Sequence, residues 1–172
     1  MSTVTAAEVP AENGIRESWL PMVAIALGQV LMSFNVAALP VSMSGMVASF
    51  GVPPTTVATG IVMYSLAVAG LVMLGAKLNQ RFGAGRVFRV VVGMFVISQA
   101  MMVFAPTATV MIAAQGVAGT AAAALVPSLV ALIAHHYHGR QQATAVGALG
   151  SARAGAGVAA FLIGGIDRKS VV

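Results

Sequence analysis

Few residues in this chain can do chemistry. Cysteine is absent, and the four acidic residues are Glu8, Glu12, Glu17 and Asp167, so nothing between Ser18 and Ile166 carries a negative side chain. Thiolate, Ser/His/Asp and paired-carboxylate mechanisms have no members, which argues against an enzyme. His135, His136 and His138 lie together, but they lack i, i+4 helical spacing and any acidic neighbour. No metal site and no cofactor are assigned to them, and histidines beside a tyrosine suit a membrane interface. The stretch from Gly155 to Gly157 follows no strand and lacks the Lys-Ser/Thr of a phosphate loop, so it reads as helix packing.

What remains is one cation and three amides inside apolar segments. Arg153 lies near the middle of an apolar run, where a charge costs about 2.5–3.5 kcal/mol on insertion scales. At 3.6-residue periodicity Val146, Gly150, Arg153, Gly157, Ala160 and Gly164 share one face, and small residues mark helix contact or a cavity rather than lipid. Arg153 is therefore expected to point inward. It is either a contact for an anion or substrate carboxylate in a central cavity, or a structural partner for backbone carbonyls or a carboxylate elsewhere. Asn35, Gln99 and Gln115 are amides in apolar surroundings, where an unsatisfied polar group is expensive. Gln115 adjoins the small packing residues Gly116 and Thr120. Asn35 and Gln115 are candidates to line a cavity, and simple interhelical hydrogen bonding, the favoured reading, fits them too. Tyr64 carries a weaker signal, since a packed tyrosine commonly has its hydroxyl satisfied.

The elements that must hold these residues are membrane helices. Apolar residues make up 59% of the chain and charged residues 8%, too few charges for a water-soluble surface. A bilayer core about 30 Å thick needs roughly 20 apolar residues, and five such runs occur, at 20–39, 56–76, 87–105, 110–134 and 143–166. The expected fold is all-α: a polytopic transmembrane bundle of about five helices over residues 20–166, after a polar tail at 1–19. Pro40 is expected to end the first helix. Gly51, Pro53 and Pro54 make the next turn, with Thr55 or Thr56 capping the second helix. Lys77, Asn79, Gln80, Arg81, Gly83, Gly85 and Arg86 form a basic turn, Pro106 and Thr107 a short hairpin, and the histidine cluster with Gly139 and Arg140 the last break.

The net charge of +5 does not imply a nucleic-acid partner, because the cations sit singly between apolar runs rather than on one basic face. Their placement sets orientation instead. With the N-terminus cytoplasmic, Arg16, then Lys77, Arg81, Arg86 and Arg89, then Arg140 fall inside, and the intervening connections hold no Lys or Arg. Only Arg168 and Lys169 break that alternation. Residues 167–172 also match the translation of a common sequencing-adapter sequence, and the expectation is that they are a non-native tail.

Three segments resemble the major facilitator superfamily, in particular its fourteen-helix drug:proton antiporter branch. Asn35-Val36-Ala37-Ala38-Leu39-Pro40 resembles that branch's Asn-Val-Ala-Leu-Pro helix ending. The stretch from Gly75 to Phe88, containing Lys77, Gln80, Arg81, Gly83 and Arg86, resembles the superfamily loop Gly-x-Leu-x-Asp-Arg-x-Gly-Arg-Arg. Gln115-Gly116, followed by Ala122, Ala123 and Pro127, resembles a segment that usually reads Arg-x-x-Gln-Gly and runs on to a proline. The departures are specific. Gln80 stands where the family has its loop aspartate, Ile112 where it has the helix arginine, and Ala160-Phe161 where the antiporter branch has Gly-Pro.

The resemblance implies a secondary transporter in a bacterial-type plasma membrane. Its partners would be the lipid bilayer, a small-molecule substrate and protons as coupling ion. It implies that Gly75, Lys77, Gln80, Arg81, Gly83 and Arg86 form a gating loop, weakened as a latch because a neutral amide replaces the aspartate. Gly116, Gly150, Gly157 and Gly164 are the expected helix-packing positions. Such transporters have two six-helix halves, so five helices alone are not expected to transport. A stand-alone five-helix scaffold or regulatory subunit is the alternative reading.

Overall fold

The computed structural model describes residues 19–169, with side chains described to residue 163. Almost all of the N-terminal tail, the surroundings of Gly164 and the side chains of the expected non-native tail lie outside the described residues. Five helices run α1 Leu20–Phe50, α2 Pro54–Phe82, α3 Ala84–Val103, α4 Ala108–His136 and α5 Gly139–Lys169. All five are long and apolar enough to cross a membrane, the last over Gly139–Ile163.

Two helices run further than their breaker residues suggest. Pro40 does not end α1, which continues to Phe50. A proline in a helix interior removes one N–H donor, yet membrane helices tolerate it where neighbouring side chains and local adjustments re-satisfy the freed groups. Just beyond it the Ser42 hydroxyl donates to the Ala38 carbonyl at 2.9 Å. The true stop is Gly51, at φ 61°, whose N–H returns to the Val47 carbonyl at 3.0 Å. The helix end at Ala76 likewise moves to Phe82, so most of the basic turn is helical and Gly83 is the whole connection to α3. With φ 84° and ψ 135°, Gly83 adopts a backbone conformation that a Cβ disfavours. Neither Thr55 nor Thr56 caps α2. Pro53 and Pro54 open it instead, and a first-turn proline suits because its missing N–H would have no intrahelical partner.

Packing is organised around α4. Residues 121–125 are buried in succession, which requires neighbours on every side. α4 packs mainly along α2 and α3, while α5 packs mainly along α1. Helix α3 contributes the stripe Val87, Val91, Phe95 and Ser98, and α1 contributes Met22, Ile25, Met32, Asn35 and Leu39. Both stripes follow the i, i+3, i+4 pattern of a helix with one protein-facing side. The buried stripe of α5 contains Ala145, Ala156 and Ala160, with Leu149 and Ala152 half-buried between them.

Candidate functional site

Two interhelical layers and one open face hold the polar side chains that concern the site, apart from the Gln29–Ser33 pair within α1, where Gln29 Nε2 donates to the Ser33 hydroxyl at 2.8 Å. The first layer lies where α2 crosses α4. A Cβ on Gly75 would come within 2.5 Å of the Ala123 carbonyl oxygen and 2.6 Å of the Ala124 Cα, so only glycine allows this approach. One turn later Asn79 donates to the Gly75 carbonyl at 2.9 Å and to the Ala124 carbonyl at 3.3 Å. Its Oδ1 accepts from the Ser128 hydroxyl at 2.8 Å, and that hydroxyl also lies 2.7 Å from the Ala124 carbonyl. Pro127, adjacent to Ser128, removes an N–H from α4 at this level. At this level α2 thus supplies a donor to the Ala124 carbonyl, next to the Ala123 carbonyl that Pro127 leaves without its helical N–H.

This layer anchors the basic segment. Gly75 is buried, whereas Lys77, Gln80, Arg81, Gly83 and Arg86 lie beyond it, all five exposed. Arg81 lies 5.5 Å from the centroid of the Phe82 ring, and Arg89 Nε donates to the Gly85 carbonyl at 3.2 Å. With no carboxylate between Ser18 and Ile166, these cations have no acidic partner within that stretch. Gln80 borders an apolar groove of about 580 Å³ between α2 and α4, together with Ala76, Asn79, Pro127, Val130 and Ala131.

The second layer joins α1, α3 and α4. Asn35 Nδ2 donates to Gln99 Oε1 at 3.0 Å, and Gln99 Nε2 donates to the Ser98 hydroxyl at 3.3 Å. Gln115 Nε2 meets the Met102 sulfur at 3.8 Å. Asn35 and Gln115 are both buried, at 6% and 1% exposure. The structure therefore places both amides in the protein interior, with Gln99 as a partner for Asn35.

The open face holds Arg153. Val146, Gly150 and Arg153 are exposed and Gly157 is half-buried, while Ala160 belongs to the stripe facing α1. Arg153 on α5 lies within electrostatic range of Tyr64 on α2. A Cβ on Gly150 or Gly157 would meet nothing within 4 Å, and one on Gly116 only the Met63 methyl at 3.9 Å. The tight glycine contacts are elsewhere, at Gly75 and at Gly119, where a Cβ would come within 2.5 Å of the Tyr64 carbonyl oxygen.

Asn79, Ser128 and Gly119 are thus structural residues that sequence reasoning missed. The available signal was Gly75 and Asn79 at i, i+4 on one helix face, opposite a serine that follows a proline. It was hidden by reading Asn79 as part of a turn.

Comparison with known proteins follows the same outline. Residues 25–166 match the family model described as the Major Facilitator Superfamily. The methylenomycin A resistance protein of Streptomyces coelicolor is 32% identical over 148 residues, covering 85% of this chain and 31% of that protein. The puromycin resistance protein pur8 of Streptomyces alboniger is 27% identical, over 86% of this chain and 30% of its own length. The multidrug efflux pump LfrA of Mycolicibacterium smegmatis is 27% identical, over 67% of this chain and 23% of its own. The chain thus spans less than a third of the length of the curated relatives it matches.

Proposed function

The chain belongs to the Major Facilitator Superfamily, and from that premise we propose that it supplies the first helices of a transporter exporting an antibiotic-sized solute by alternating access. The relatives named for methylenomycin resistance, puromycin resistance and multidrug efflux support the direction and the solute class. The distribution of Lys and Arg supports an N-terminus on the cytoplasmic side, which puts the basic segment from Lys77 to Arg89 inside. There Lys77, Gln80, Arg81 and Arg86, pivoting on Gly83, act as a gate whose latch is weakened by Gln80.

Arg153 carries this reading. It is a charge in the middle of a membrane helix, on an exposed face. Lipid is a poor environment for it, whereas a water-filled cavity between two transporter halves near the midplane suits it well. Its role is to contact an anionic or strongly accepting group of the solute, while Asn35 and Gln115 stiffen the cavity wall from within. If protons drive export, the titrating carboxylate lies outside residues 18–166, which contain none.

The test is a resistance assay with the full-length protein in a host lacking its own pumps. It should raise the inhibitory concentration of puromycin or methylenomycin several-fold. Arg153→Gln should abolish that gain at equal membrane abundance, and Val158→Ala, on exposed α5 surface, should keep it. Unchanged sensitivity to both antibiotics would contradict the proposed solute class.

A further inference from the structure

The amide layer between α1, α3 and α4 has an imbalance of hydrogen-bonding valence. Gln99 has both ends committed: its oxygen accepts from Asn35 and its nitrogen donates to Ser98. This fixes the Asn35 amide, because Asn35 must direct Nδ2 at Gln99, which turns Oδ1 the other way. Asn35 Oδ1 is buried and has no hydrogen-bond partner among the described residues, and the same holds for Gln115 Oε1.

The two amides that carry the orphan oxygens are connected through α3. Gln99 is one turn from Met102, whose sulfur meets Gln115 Nε2. On the opposite flank, Leu39 is one turn from Asn35. A Cβ on Gly60 would lie 3.8 Å from Leu39 Cδ2, 3.5 Å from Gln115 Cγ and 3.0 Å from Met111 Sδ. The groups meeting at Gly60 are thus apolar, and both orphan atoms are acceptors. Neither can satisfy the other, and no donor among the described residues reaches them. A buried acceptor pair of this kind takes a guest that can offer it hydrogen-bond donors or a positive charge.

We propose that Asn35 and Gln115 form a binding site for a single water-sized electropositive guest, a water molecule or a monovalent cation, held between the side-chain carbonyl oxygens of α1 and α4. At 6% and 1% exposure the site is too enclosed for a drug-sized solute. It is therefore distinct from the Arg153 face and does not rest on the transport reading. Through this guest, α1 and α4, which pack on each other less than on α5 and α2, gain a polar bridge.

The test uses the 172-residue chain in lipid nanodiscs, with Asn and Gln side chains and Leu methyls isotope-labelled with carbon and nitrogen, and water-edited solid-state NMR in sodium and in choline buffers. Asn35→Leu and Gln115→Leu assign the two resonances. Magnetisation should pass from water to the Asn35 and Gln115 side-chain carbons but not to the buried Leu125 and Leu129 methyls, and the Asn35 transfer should fall by at least half in Gln115→Met. If the guest is a cation, sodium should instead shift the Asn35 carbon in the wild-type chain and leave it unmoved in Gln115→Met. The proposal is overturned if wild-type Asn35 shows neither water transfer nor a sodium shift. A direct correlation between Gln115 Nε2 and the Asn35 side-chain carbon would also overturn it, since the amides would then satisfy each other. The wild-type measurement decides the matter even if a variant fails to fold.

Discussion

Asn79 on α2 accepts the Ser128 hydroxyl of α4 at 2.8 Å, joining residues 49 positions apart within the membrane. Because Ser128 also has the Ala124 carbonyl within reach, the two partners are not equivalent. Ser128→Ala leaves Asn79 with its donors still bonded to Gly75 and Ala124. Asn79→Leu removes the link between helices. We expect Asn79→Leu to destabilise the chain more than Ser128→Ala. A double-mutant cycle of unfolding in mild detergent should give a coupling of about 0.6–2 kcal/mol, the range for interhelical hydrogen bonds in membranes. Additive effects would show that the contact contributes nothing.

The glycines separate into two groups. Gly75→Ala and Gly119→Ala force a Cβ to within 2.5 Å of backbone atoms, so α2 and α4 must move apart. Each should cost as much as an overpacked core or more, at least ~1–3 kcal/mol. Gly150→Ala and Gly157→Ala meet nothing within 4 Å, and in this chain they should be neutral or slightly stabilising through helix propensity, by up to ~1 kcal/mol. Thermal unfolding of the four variants checks the ranking, and equal losses at Gly75 and Gly157 would contradict it.

Gly83 is the single-residue connection between α2 and α3, at φ 84°. Gly83→Ala should destabilise by about 1–2 kcal/mol because an L-residue is strained there. Gly85→Ala should not, since Gly85 lies within α3 at ordinary helical geometry, and a Cβ there meets nothing. Unfolding midpoints in nanodiscs distinguish the two, and a harmless Gly83→Ala would mean that the turn is not held at positive φ.

Orientation can be read directly, because the chain has no cysteine of its own. Ser49→Cys sits in the last turn of α1 and Gly85→Cys in the first turn of α3, at opposite ends of the bundle. With a cytoplasmic N-terminus, a membrane-impermeant maleimide added to intact cells should label Ser49→Cys at once and Gly85→Cys only after permeabilisation. The reverse pattern would invert the topology.

The existence of five membrane helices was legible because an apolar run of about 20 residues matches the thickness of a bilayer core. Their ends were less so. Pro40 and the cluster from Lys77 to Arg86 are breaker and polar signals that hold in water, but a long membrane helix carries charged side chains out beyond the apolar core, and tertiary packing carries α1 past its proline. The site was legible in part. Asn35, Gln115 and Arg153 stood out because polar residues in apolar helices are few. Asn35 pairing with Gln99 across 64 positions and Asn79 reaching Ser128 depend on which helices are neighbours, which periodicity does not encode. The face of Arg153 raises the same issue: helical spacing groups it with Gly150 and Gly157, yet the stripe packed on α1 is the alanine-rich one beside it.

The central claim is that this segment belongs to an exporter whose cavity includes Arg153. Counterflow tests it most directly, because it needs no knowledge of the coupling ion. The full-length protein is reconstituted in vesicles preloaded with the unlabelled antibiotic, and entry of the labelled antibiotic is followed. The account predicts transient accumulation above that in protein-free vesicles, lost in Arg153→Gln and retained in Val158→Ala. Accumulation no greater than in protein-free vesicles would contradict transport of that solute, and full accumulation by Arg153→Gln would remove Arg153 from the cavity.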